Sequence, residues 1–123
     1  MGPVNVWQDG AFTIVSIRHG TAIDIPVEQN ILRQRMALFL KHKQRKQHVI
    51  YTGRIASLNM LAARFACSEE FASITQAKVL VIENVLNRTF MNMMLRLNKP
   101  AFPVMATASV EQAKRLLTES FSR

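Results

Sequence analysis

The chain has 123 residues, 49% of them apolar, with 16 Lys and Arg against 8 Asp and Glu for a formal net charge of +8. This length suits a single domain, residues 1–123, built on one core. A lone cysteine, Cys67, excludes an internal disulfide, no charge-free apolar run approaches a membrane span, and the start MGPVNVWQDG lacks the parts of a signal peptide, so a cytoplasmic protein is expected.

Val4 to Gln8 reads as a short strand, and Asp9-Gly10 is a hairpin signal. Ala11 to Arg18 alternates loosely and supplies the partner strand, closed by Gly20-Thr21. Pro26 suits the first turn of a helix, where its missing N–H costs nothing. That helix is expected to run to about Lys43, with Leu32, Met36, Phe39 and Leu40 as its core stripe and Arg33, Gln34 and Lys41 outside. His48 to Thr52 is a β-rich run ending at Gly53, followed by a short helix from Leu58 to Arg64. Ser68, a good helix cap, opens another turn with Glu69 and Glu70.

Lys78 to Ile82, KVLVI, is the clearest buried strand. Asn84 to Leu97 is helical, with Leu86, Phe90, Met93, Met94 and Leu97 expected to pack on the sheet and Met91 and Leu95 to face away. Asn98-Lys99-Pro100 stops it. Phe102 to Met105 is a short strand whose Pro103 suggests an edge, and Ser109 with Gln112 forms a capping box that opens a final helix to about Ser120. The order ββαβαβαβα implies an α/β fold: a mostly parallel sheet of four to five strands, an antiparallel edge hairpin, and right-handed crossovers.

The charge is uneven. No acid occurs between Gln29 and Ser68, a segment holding Arg33, Arg35, Lys41, Lys43, Arg45, Lys46, Arg54 and Arg64. The densest part, Lys41 to His48, suits either a solvated helix end, where cations offset the helix dipole, or an anion site built on Lys41, Lys43, Arg45 and Lys46. On the second reading, segment 33–54 would bind an acidic lipid, a nucleotide or nucleic acid.

Catalytic signatures are sparse. His19, His42 and His48 have no metal-ligand spacing, the four glycines form no phosphate loop, and no nucleophile elbow occurs. Cys67 has acids as sequence neighbours, the wrong setting for a thiolate. No enzyme, metal or cofactor is expected.

The stretch from Ala66 to Leu117, above all Asn98-Lys99-Pro100, Pro103 and the Ala-Lys-containing last helix, resembles the STAS-like fold of anti-sigma-factor antagonists and sulfate-transporter cytoplasmic domains, and within it an uncharacterised bacterial branch. A weaker likeness of fold links it to CRAL-TRIO lipid-transfer domains. The resemblance implies a non-catalytic interaction or regulatory module, a homodimer or a partner of a regulatory protein. In regulatory STAS members, an Asp-Ser pair opens a helix after a strand, and its Ser is phosphorylated. Here Asn59 and Met60 fall at those positions in the loop Gly53 to Ala62, so that switch is not carried over, and Ser57 nearby is the remaining candidate, although a Ser at a helix start is more often just a cap. Helix faces beside the sheet meet partners in such proteins, which makes Arg88, Met91, Asn92, Leu95 and Lys99 the candidate partner surface.

Overall fold

The computed structural model describes residues 2–97 and 100–121, with side chains for all of these except 55–58, 90, 94, 97 and 121. Lys99 lies outside the described residues, as do the side chains of Ser57, Phe90, Met94 and Leu97. The elements are β1 (Val4–Asp9), β2 (Phe12–Ile17), β3 (Thr21–Ile23), α1 (Ile25–Lys41), β4 (Gln47–Thr52), β5 (Ile55–Leu58), α2 (Met60–Ala66), α3 (Glu69–Ala72), β6 (Thr75–Val81), α4 (Val85–Leu97), β7 (Val104–Thr107) and α5 (Val110–Phe121).

One sheet has the order β1-β2-β4-β6-β7. β1 and β2 form the antiparallel hairpin, from Val4 opposite Ile17 to Asp9 opposite Phe12, while β2, β4, β6 and β7 are parallel. The expected α/β architecture is present, and β7 is the edge strand that Pro103 suggested. β3 and β5 pair in a small second sheet. The loop expected between Gly53 and Ala62 therefore contains a strand, and α2 begins at Met60 rather than Leu58.

The two faces carry separate cores. Ile31 of α1, Ala62 of α2 and Phe71 of α3 pack with Val15, Ile17, Val49 and Tyr51. Ala113 and Leu117 of α5 pack with Ile14, Ile50, Ala77 and Val79 on the other face. The alternation of side chains along each strand divides them. Gly53 sits where β4 leaves the sheet, with φ of +130°, and a Cβ there would lie 2.0 Å from the Ile17 carbonyl oxygen. Only glycine allows this approach.

Caps fix the helix starts. Asp24 accepts from the Val27 N–H at 3.0 Å, and Ser109 accepts from the Gln112 N–H at 3.2 Å while Gln112 accepts from the Ala108 N–H at 3.0 Å. Ser68 occupies the cap position of α3 without a capping hydrogen bond.

Two helices lie differently from the sequence expectation. On α1 the buried positions are Glu28, Ile31 and Arg35, while Leu40 is exposed. Gln34, expected to project outward, holds the outer edge of β1: its amide accepts from the Val6 N–H and donates to the Val4 carbonyl, both at 3.1 Å. On α4, Leu86 and Met93 are exposed rather than packed, and Asn92 accepts from the Ala106 N–H on the outer edge of β7 at 3.2 Å. Each helix is turned toward the sheet by an amide that satisfies a strand edge, because an unpaired strand N–H or C=O beneath a helix costs more than an exposed leucine.

Candidate functional site

Three places in the fold hold groups of functional interest. The first is the end of the main sheet where its parallel strands finish. After β4 the chain passes through β5 to Asn59, whose side chain accepts from the Leu61 N–H at 2.8 Å and the Ala62 N–H at 3.4 Å, starting α2. After β6 the chain reaches Asn84, which accepts from the Asn87 N–H at 3.0 Å and starts α4. β4 and β6 are adjacent and parallel, so both helices start at one end of the molecule. Arg54 and Glu83, 3.2 Å apart, join the two loops.

Helix first turns favour acids, which complement the positive end of the dipole. Neither α2 nor α4 has one there. Each cap is followed by two large apolar residues instead: Met60 and Leu61 (63% and 60% exposed), and Val85 and Leu86 (62% and 79%). Leu61 and Val85 were not singled out from the sequence, Leu86 was expected on the sheet, and Met60 was noted only for its place in the loop. The repeated pattern, Asn59-Met60-Leu61 and Asn84-Val85-Leu86, was a readable signal, because a first turn that ordinarily favours acids carries large apolar residues twice. Asn59 serves as a cap, and the Met60 side chain beside it is exposed.

The expected partner face on α4 is rearranged. Arg88 donates to the Ile82 and Glu83 carbonyls at 2.9 and 3.2 Å, Asn92 binds β7, and Met91 and Leu95 are half-buried. Asn92 and Leu95 line a groove of about 380 Å³ with Arg96, Val104, Met105, Ala106 and Leu116. The residues spaced as Arg88, Asn92 and Leu95 share one helix face, and that face is turned to the strand edge.

The second place is at the opposite end of the sheet. Lys41, Lys43, Arg45 and Lys46 line a cavity of about 540 Å³ with His42, His48, Gln8, Thr13 and Gln47, between the β1–β2 turn and the α1–β4 connection. The structure thus brings the whole predicted cationic set together.

The third lies inside. Arg35, fully buried, donates from Nε to Gln47 Oε1 at 2.7 Å, from Nη1 to Tyr51 Oη at 3.2 Å and from Nη2 to Thr75 Oγ1 at 2.6 Å. Gln47 Nε2 donates back to the Arg35 carbonyl at 2.9 Å. Lys78 places its ammonium 4.2 Å from the centre of the Tyr51 ring. Glu28, also buried, has no hydrogen-bond partner at Oε1. Burial pushes its carboxyl above the ordinary value of 4.5, opposed by the charges of Lys78 and Arg35. The sequence showed Arg35 only as one of eight cations. Its spacing from Glu28 and Ile31, seven and four residues along one helical face, was the available sign.

No described helix is long and apolar enough to cross a membrane. The fold is that of the SpoIIAA-like class. The structure is similar to the crystal structure of an uncharacterised protein of the DUF3478 family, with a SpoIIAA-like fold, from Shewanella loihica PV-4; the TM-score is 0.64 at 6% identity, covering 93% of this chain and 91% of that one. The chain belongs to the DUF7793 family, a domain of unknown function whose model matches residues 6–120. No curated protein matches it.

Proposed function

We propose that the chain is a non-catalytic protein-interaction module that docks a partner protein on the end of the sheet where α2 and α4 begin. Support comes from Met60, Leu61, Val85 and Leu86, large apolar side chains exposed on two helix starts that the Arg54–Glu83 pair joins. Apolar groups concentrated at one end, beside charged ones, have the composition of an interface centre and rim. The partner is expected to carry an apolar face with an acidic rim, because Arg18 is exposed at this end and the chain carries +8 overall. A second copy would set that charge against itself.

The test is capture of binding proteins from the source cells by the parent chain and by the double variant Leu61→Asp, Leu86→Asp, with light scattering on both. A partner retained by the parent and lost by the variant, with circular dichroism unchanged, is the expected result. An identical set of bound proteins and an identical mass would sink the proposal. A parent dimer that the variant dissociates would keep the surface and replace the partner by a second copy.

A further inference from the structure

We propose that the basic cavity at the hairpin end binds a small anion carrying two or three linked phosphate groups. This site lies at the opposite end of the sheet from the docking surface and does not depend on it.

The cavity, about 540 Å³, falls within the range of small-molecule sites, roughly 300–1,000 Å³. Four cations line it, Lys41, Lys43, Arg45 and Lys46, and no carboxylate does. The neighbouring carboxylate in the hairpin, Asp9, is engaged 2.8 Å from Lys114. The polar floor is already bonded within the protein: Thr13 donates to Gln8 at 2.8 Å, and Gln47 is held by Arg35. Recognition therefore falls to the cations, whose number matches a ligand of three or four negative charges.

Offsetting the dipole of α1 does not account for the set. A helix C-terminus carries about half a negative charge. Lys41 alone stands in the last turn; Lys43, Arg45 and Lys46 follow it. The turn itself is a second observation. Lys43 and Gln44 both have left-handed backbones, with φ of 60° and 56°. A side chain in that region is disfavoured by contact of its Cβ with the following carbonyl oxygen, which glycine avoids. Two such residues reverse the chain, so that Lys41 before the turn, Lys43 within it, and Arg45 and Lys46 beyond it line one cavity.

The shape favours a compact ligand over a polymer or a surface. Single-stranded nucleic acid needs aromatic platforms, and no Phe, Tyr or Trp lines the cavity. An anionic bilayer meets a flat or convex basic face, and these exposed cations border a half-open concavity.

Inorganic tripolyphosphate is the probe. Calorimetry at about 0.05 M and about 0.15 M salt gives affinity and its salt dependence, and amide NMR gives the place. One saturable site is expected, with shifts confined to residues 8–13 and 38–48. Arg45→Gln with Lys46→Gln should weaken binding by about tenfold or more, the loss of one to two charge-assisted contacts. Arg64→Gln with Arg115→Gln, an equal loss of charge at exposed positions outside the cavity, should change it by less than about twofold. The proposal is overturned by absence of saturable binding at the lower salt, by equal weakening in the two double variants, or by shifts elsewhere. Tighter binding to a single-stranded oligonucleotide or to vesicles containing phosphatidylserine than to tripolyphosphate would also overturn it.

Discussion

Arg35 shows how much one side chain can organise. Its guanidinium spans β4 and β6 by reaching Gln47, Tyr51 and Thr75 at once. A planar fork with fixed donors meets three acceptors; an ammonium on a flexible stem does not. Arg35→Lys should therefore lose about 2 kcal/mol of unfolding free energy by denaturant titration, and Arg35→Ala roughly 3–5 kcal/mol, since buried acceptors are left unmet. Glu28 works in the other direction. Its folded pKa lies above the ordinary 4.5 through burial, so folding favours the protonated acid. Its contribution to stability is fullest below that value and is lost as pH rises through the raised folded pKa. The melting temperature of Glu28→Gln minus that of the parent should grow from pH 4 to pH 7. A flat difference would mean that Lys78 and Arg35 compensate the buried charge fully.

Among the elements, α1 and α4 share a device. Both edge strands of the main sheet, β1 and β7, meet an amide from a helix, Gln34 in one case and Asn92 in the other. An uncovered edge templates pairing with other chains. Gln34→Leu and Asn92→Leu should each lower stability by roughly 1–3 kcal/mol through an unmet strand group, and the double variant should aggregate at concentrations where the parent stays dispersed, as static light scattering will show. Asn59 has a smaller task. Asn59→Ala removes the cap of α2 and should cost about 1 kcal/mol in a thermal or denaturant melt. The capping box at Ser109 and Gln112 was legible beforehand, because both its partners are four residues or fewer from the groups they bind. The outward assignment of Gln34 failed for the opposite reason: its partners in β1 stand 28 and 30 residues away.

The molecule as a whole has two ends with different chemistry. Apolar residues on the starts of α2 and α4 occupy one, and the cations between Lys41 and Lys46 occupy the other. The sheet separates them, and sites that share no partners at this distance are expected to act independently. Leu61→Asp with Leu86→Asp should leave tripolyphosphate affinity within about twofold of the parent, beyond the small pull of two added charges screened by salt. A larger change would mean that the ends are coupled through the fold.

The amino-acid sequence by itself determined the order of the five main-sheet strands and their connecting helices, though not the small β3–β5 sheet, together with the antiparallel hairpin, the edge position of β7 and the concentration of charge between Arg33 and Arg54. Each of these follows from local periodicity, from Pro and Gly, or from composition, which a chain carries without folding. Only the tertiary structure decided which face of α1 and α4 meets the sheet, that Arg35 lies within the core, and that the basic residues surround a cavity. The physical reason is that apolar periodicity ranks the faces of a helix by transfer free energy alone. The final rotation also answers to hydrogen bonds with strands far away in sequence, and a buried acceptor left unpaired outweighs the exposure of a leucine.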